Sequence, residues 1–211
     1  AEMASDDILK VSVNAGVAWS TITTDVTGDP DTALSTGITL AGTSAIHLRI
    51  TDDAGNVGTA DTTSYILDTT APTISFSSVD ISADTGSSAT DFITKTAAQT
   101  LTGTLSAAMA SDDILKVSVD AGSSWDDVTS DVTGDPDTAL STAITLAGTS
   151  AIHLQITDDA GNTGTADTTS YILDTTAPTI SFASVDISAD TGTSATDFNT
   201  KTAAQTLTGT L

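Results

Sequence analysis

The sequence contains no cysteine, which excludes disulfide staples and thiolate catalysis and leaves the redox compartment unread. It is almost as poor in basic residues. Lys10, Arg49, Lys95, Lys116 and Lys201 are the whole set, scattered singly against 28 acidic side chains, for a formal net charge of −23. Polyphosphate recognition needs clustered Lys and Arg to displace counterions, so nucleic acid is excluded as a partner, and an anionic membrane surface with it. No apolar run approaches the ~18 residues that cross a bilayer, so direct membrane insertion is not expected. Aromatic residues make up only 4%, and any core must be built from many small aliphatic and β-branched contacts. Glutamate occurs once, at Glu2; the other 27 acids are Asp, the shorter acid, which favours turns and hard-cation sites over helix surfaces. Ala1 opens in mid-pattern with no signal peptide, which reads as a piece of a longer chain.

What is present is a repeat. Ser5-Asp6-Asp7-Ile8-Leu9-Lys10-Val11-Ser12-Val13 recurs as Ser111-Asp112-Asp113-Ile114-Leu115-Lys116-Val117-Ser118-Val119, and this offset of 106 holds to Leu105 and Leu211 with 14 differences in 105 aligned pairs. Near-identical tandem copies suit spacers and lattices better than enzymes. The Pro-marked break Asp68-Thr69-Thr70-Ala71-Pro72, copied at Asp174-Thr175-Thr176-Ala177-Pro178, reads as a linker or strand entry, because proline cannot donate to a central ladder. On that reading 71–176 is one complete unit, 1–70 lacks the first third of a unit, and 177–211 is the first third of the next. The two remnants are expected either to complete one another head to tail between molecules or to be parts of a longer array.

Within 71–176 the apolar pattern has the period of strands, and no segment carries a helical stripe. Seven strands are expected, at 73–82, 99–105, 114–119, 125–128, 143–146, 152–156 and 164–173. Leu115, Val117, Val119, Ile152, Leu154 and Ile156 should face inward, with His153 and Gln155 outward. Seven short strands in about 105 residues predict an all-β fold of tandem immunoglobulin-like Greek-key β-sandwich repeats.

Strands that start at one end of a sandwich finish at the other, so its loops fall alternately at two poles. The entry pole should collect Asp68, Asp112, Asp113, Asp131, Asp135, Asp137, Asp158, Asp159 and Asn162. The exit pole should collect Asp84, Asp91 and Asp174, together with Asp120. The unit 71–176 carries 15 Asp against Lys95 and Lys116, and carboxylates at such density repel unless a cation sits among them. Ca²⁺, with six to eight oxygen ligands, suits Asp, Asn and backbone carbonyls, and about five or six ions would nearly neutralise the unit. All these residues except Asp120 are the candidate metal ligands. Asp120, Asp126 and Asp127 are weak candidates, being Asn14, Ser20 and Thr21 in the other copy.

Five stretches, in order along the repeat, carry a resemblance: Asp84-Thr85-Gly86-Ser87-Ser88-Ala89-Thr90-Asp91-Phe92, Leu101-Thr102-Gly103-Thr104, Ser118 to Trp125, Asp159-Ala160-Gly161-Asn162, and Asp174-Thr175-Thr176-Ala177-Pro178. The unit resembles the immunoglobulin-like extender repeats of giant bacterial repeats-in-toxin adhesins, which tether cells to surfaces, biofilms or ice. The resemblance implies Ca²⁺ within and between domains, a rigid rod whose partners are neighbouring repeats of the same chain, an extracellular location on the bacterial cell surface, and export by type I secretion. The glycine-rich nonapeptide calcium repeats of such proteins are absent from these residues.

The remaining chemistry-bearing side chains read as structural. His47 and His153, one per repeat and without a second His or a Cys nearby, read as surface residues rather than zinc ligands. Trp19 and Trp125 are expected to be packed core aromatics. No Ser or Thr has a positioned base, so no enzyme is expected. Two functions are left: a Ca²⁺-rigidified spacer projecting a distal ligand-binding region, or an adhesive module that itself binds carbohydrate or pairs with repeats on other cells.

Overall fold

Alternating inward Leu, Ile and Val along short segments dictate the architecture. The computed structural model describes residues 3–28 and 31–211. The chain divides into two compact units, Ala1–Leu173 and Asp174–Leu211. Among the described residues the regular elements are strands, apart from single 3-10 turns at Thr23–Asp25 and Thr129–Asp131.

The first unit opens with β1 (Ile8–Ser12), β2 (Ser20–Thr21), β3 (Val26–Gly28), β4 (Asp31–Leu34), β5 (Ser44–Thr51) and β6 (Asp61–Tyr65). These form a sheet of order β2-β1-β5-β6 and a separate β3-β4 hairpin. Their buried core is small, with Leu9, Val11 and Ile22 at its centre.

The same unit continues with β7 (Phe76–Ile81), β8 (Ile93–Thr94), β9 (Ala98–Leu105), β10 (Ile114–Ser118), β11 (Asp126–Asp127), β12 (Val132–Gly134), β13 (Asp137–Thr145), β14 (Thr149–Thr157) and β15 (Asp167–Leu173). Two sheets result, β11-β10-β14-β15-β8 and β12-β13-β9-β7. From the first, Leu115, Val117, Ile152, Leu154, Ile156 and Tyr171 turn inward; from the second, Ile81, Leu101, Leu105, Leu140 and Ile144 meet them, and all are buried. Strand order departs from chain order in both sheets, and successive strands cross between them. This is an immunoglobulin-like Greek-key sandwich.

Several expected boundaries shift. The strand expected at 143–146 is nine residues long, because Leu140, Thr142 and Ile144 alternate inward and Thr142 serves as a buried β-branched residue. The strand expected at 125–128 shrinks to Asp126–Asp127, and β12 follows it after the 3-10 turn. β8, set among Ser, Thr and Asp, leaves no apolar run to read; it pairs parallel with β15, Ile93 opposite Ile172.

The second unit holds β16 (Ala183–Ile187) and β17 (Leu207–Thr210), an antiparallel pair with Ile187 opposite Leu207. At the 106-residue offset these are the counterparts of β7 and β9, as β1 to β6 are of β10 to β15.

Candidate functional site

The loop between β7 and β9 is fixed by one buried amide. Gln99, on an inward position of β9, donates from Nε2 to the Thr96 carbonyl (2.7 Å), and its Oε1 accepts the Ala83 N–H (2.8 Å). Thr94 adds a bond from Oγ1 to the Ala83 carbonyl (2.6 Å). The Phe92 N–H then donates to Asp84 Oδ2 (2.9 Å), and the Ile93 N–H to Asp91 Oδ1 (3.1 Å). The other oxygen of Asp84, Oδ1, is buried with no hydrogen-bond partner. Such an atom costs about 1–3 kcal/mol or more unless something pairs with it.

The counterpart loop of the second unit is built alike. Gln205 bonds to Thr202 and Ala189, the Phe198 N–H donates to Asp190 Oδ2 (3.1 Å), and Asp190 Oδ1 is again buried and unpartnered. The loop therefore takes this conformation from its own sequence, with only β16 and β17 beside it. Gly86 leaves a niche lined with oxygen. A Cβ placed there would lie 3.2 Å from the Ile93 carbonyl oxygen, 3.7 Å from Asp91 Oδ1 and 3.8 Å from the Ser88 carbonyl oxygen. At Gly192 the corresponding neighbours are the Asn199 carbonyl oxygen at 3.1 Å and Asp197 Oδ1 at 3.5 Å. Each loop thus carries an orphaned carboxylate oxygen and, two residues on, a glycine niche lined by carbonyl and carboxylate oxygens, the donor types a hard cation takes.

At the other pole the Asp158-Asp159-Ala160-Gly161-Asn162 turn closes on itself. Asp158 Oδ1 accepts the Asn162 N–H (2.8 Å) and Oδ2 accepts its side-chain Nδ2 (2.9 Å). The side-chain bond is the chief reason the Asp158 carboxyl lies below the usual carboxylate range. The same Asn162 Nδ2 donates to the Asp68 carbonyl (3.1 Å), tying the linker to the turn. Asp68 Oδ1 accepts the Thr70 N–H at 2.8 Å, as in the second unit Asp174 Oδ1 accepts that of Thr176 at 2.8 Å. Asp113 accepts from the Ala110 N–H and Asp112 from the Ser111 hydroxyl, both at 2.9 Å. Asp137 joins Ala110, Ser111 and Thr129 around a cavity of about 170 Å³. Asp131 ends a 3-10 turn, Asp135 sits between β12 and β13, and Asp159 is exposed in its turn.

The acids are spread rather than clustered. Among the described residues no three His, Asp or Glu side chains stand together as a metal site, so any cation would take much of its shell from carbonyls, Asn or Ser. Asp68 and Asn162 meet, whereas Asp84 and Asp91 of the same repeat lie beyond the other end of β7. The Asp84-type loop of a preceding repeat has no counterpart in residues 3–70.

Trp19 and Trp125 correct one expectation, for neither is in the core. Each lies half-buried beside the histidine on the strand opposite, His47 at 6.2 Å and His153 at 6.1 Å between ring centroids. Their indole N–H groups donate to the carbonyls of Gly16 and Gly122. At Gly122 φ is +86°, a backbone conformation that favours glycine, and a Cβ there would touch both rings at ordinary van der Waals distance. Arg49 stacks on Trp19, 3.9 Å from the ring centre. The buried aromatics of this core are Phe92 and, most deeply, Tyr171, whose hydroxyl donates to the Val119 carbonyl at 2.7 Å. A Tyr among Thr and Ser on the last strand gives little warning of this; its signal is the inward register it shares with Leu173. Sequence reasoning also missed Gln99, whose position in the period-2 alternation of β9 marks it as inward.

A groove of about 470 Å³ between residues 72–76 and 165–168 holds a single titratable side chain, Asp167. No helix among the described residues is long and apolar enough to cross a membrane.

No protein-family model matches the chain, and no curated protein sequence matches it. Among solved structures it is similar to one described as a tetra-tandem repeat in the extending region of a large adhesion protein. The identity is 19%, over 90% of this chain and 46% of that one, with a TM-score of 0.27. The chain thus spans under half the length of that structure, and a likeness at this level carries no argument about function.

Proposed function

We propose that this chain is a non-enzymatic structural extender of a large secreted bacterial adhesin, a spacer that holds a distal ligand-binding region away from the cell surface and is made rigid by Ca²⁺. The reading is carried by one duplicated feature, the buried unpartnered Oδ1 of Asp84 and of Asp190 in loops whose neighbouring oxygens surround a glycine niche. Among the described residues nothing pairs with those oxygens, and a divalent ion would do so while drawing further ligands from Asp91, the Ser88 carbonyl and the Ile93 carbonyl. The ion would supply charge neutralisation and a cross-link within the loop; the protein would supply the fixed loop, through Gln99 and Thr94.

A 106-residue sandwich repeated with 14 differences supports a mechanical role, in which each copy adds length rather than new chemistry. The bond from Asn162 to the Asp68 carbonyl supports a junction of restricted angle. The extracellular location and type I export follow from the motif resemblance and belong to the same proposal. The outer-face Trp of each repeat is engaged by its histidine and a glycine carbonyl, which favours the spacer over a sugar-binding module. Calorimetric titration of the chain with Ca²⁺ tests the proposal. Saturable binding at the Asp84 and Asp190 loops, weakened stepwise by Asp84→Asn and Asp190→Asn, supports it, and an absence of binding heat at millimolar Ca²⁺ overturns it.

A further inference from the structure

We infer that the outward face of the β2-β1-β5-β6 sheet is a docking surface for a second copy of this chain, its Lys10 and Arg49 receiving the acidic edge of that copy's β11-β10-β14 sheet. The chain has five basic residues against 28 acids, yet two of the five stand directly opposite one another on neighbouring strands. Lys10 of β1 is opposite Arg49 of β5, and on its other side it is opposite Thr21 of β2. Like charges opposed across a sheet repel, and the row Thr21-Lys10-Arg49 contains no acid to relieve them. At the 106-residue offset the same row reads Asp127-Lys116-Gln155. There β11 and the turn before it carry Asp120, Asp126 and Asp127 against the single Lys116. One sheet therefore presents two cations, and its counterpart presents an excess of acid.

The differences between the repeats fall on this surface. Half of the 14 lie within positions 14–24, the turn after β1 and the edge strand β2, and another is Arg49 for Gln155 in the row itself. The charge changes among them run one way: Asn14, Ser20, Thr21 and Arg49 become Asp120, Asp126, Asp127 and Gln155, each a step toward negative. Behind the face the inward residues of β1 and β5 do not change, since Leu9, Val11, Ile46 and Leu48 recur as Leu115, Val117, Ile152 and Leu154. Lys116, Asp127 and Gln155 stay unburied in the complete sandwich, so the row lies on the surface of a whole repeat.

Arg49 is already held for such a contact. Its guanidinium lies on the Trp19 ring, 3.9 Å from the centre, and its Nε is buried without a partner. The charge is thus fixed with little rotamer freedom left to lose on binding, and its terminal nitrogens are left to meet a carboxylate. Val17 and Val57, 84% and 55% exposed, stand at the margins of the face where the complete sandwich has Ser123 and Thr163, and a docked partner would cover that apolar area. A second copy supplies the matching surface itself: its β10 sheet has the same strand order and bears the carboxylates that the β1 sheet lacks. The charge of −23 per chain opposes approach in general, so the contact forms where cations meet acids, and a charge-assisted pair of Arg49 with Asp127 sets its register.

The test is sedimentation over a range of concentrations, at physiological ionic strength, of the unmodified chain, Arg49→Glu and Asp127→Lys. The mass of the unmodified chain should rise with concentration. Each reversal sets like charges face to face and should weaken self-association at least about tenfold. For Asp127→Lys that is the opposite of what overall repulsion gives, because the substitution makes the chain less negative. Mixing the two variants should restore association, since Arg49 of one then meets Asp127 of the other, a recovery that misfolded variants would not show. A chain that stays monomeric at all concentrations overturns the inference. So does association that neither reversal affects, or a mixture that associates as weakly as its components.

Discussion

Replacing Leu101 by alanine removes three buried carbons from the centre of the complete sandwich, where its side chain is 0% exposed and packs among other fully buried residues of both sheets. Leu→Ala in such a site costs about 2–5 kcal/mol, transfer and cavity together. A domain of this size loses about 4–8 °C of melting temperature per kcal/mol. Leu101→Ala should therefore lower the main unfolding midpoint by at least about 8 °C. Leu207 is the same residue of the repeat, with the same local sequence, but is 69% exposed. Leu207→Ala should leave that midpoint unchanged. Thermal unfolding followed by far-UV circular dichroism, at a concentration where sedimentation shows a monomer, makes the comparison. Equal losses for the two variants, or no loss for Leu101→Ala, would refute the assignment of the core.

Other consequences are as specific. The turn after β10 is held by Asp120, whose carboxyl is drawn down to about 2, first by the Ser124 hydroxyl and then by the Ser124 N–H and the Ser118 hydroxyl. A lowered folded pKa means that this contribution is complete above the ordinary carboxylate range of about 4 and is lost as pH falls toward 2. In the other copy Asn14 makes the corresponding bonds to Ser12 and Ala18 and cannot titrate. The NMR amide shift of Ser124 should therefore move between about pH 4 and 2, and one of matching size at Ala18 would count against the assignment. Gln99→Leu should destabilise the complete sandwich by about 1–3 kcal/mol by stranding the Ala83 and Thr96 backbone groups, with faster proteolysis at 83–97; resistance equal to wild type would show that the amide does not hold the loop. A recombinant run of several such repeats should give a longer, stiffer rod by small-angle scattering with Ca²⁺ than with EDTA, and identical profiles would contradict stiffening by calcium.

Much of this was legible because the core uses strict alternation. Ile152, Leu154 and Ile156 define β14 by themselves, and Leu115 and Val117 define β10. Where Thr takes an inward position, as at Thr142 in β13, a polar label hides a β-branched residue suited to burial, and the strand reads short. Ile93–Thr94 is too brief for any period to show. The aromatic expectation went astray because size suggested that Trp125 fills the centre, whereas aliphatic residues and Tyr171 already fill it and the indole keeps its N–H partner at the margin. Candidate ligands were readable as residue types and poles. Which oxygen goes unpaired was not, since that depends on Phe92 taking one oxygen of Asp84 and burial sealing off the other.

The central claim is that calcium completes the Asp84 loop, and the most direct test is thermal unfolding of wild type and Asp84→Asn in EDTA and in millimolar Ca²⁺. Binding to the folded state alone contributes RT ln(1 + [Ca²⁺]/Kd), about 3–4 kcal/mol for a site filled at 100 to 1,000 times Kd. The wild type should therefore melt well above its EDTA midpoint when Ca²⁺ is present. Asp84→Asn keeps an oxygen for the Phe92 N–H but removes the buried unpaired charge, so it should melt at or above wild type in EDTA and clearly below it in Ca²⁺. That crossing is the expected result, and wild-type midpoints that are equal with and without Ca²⁺ would contradict the account.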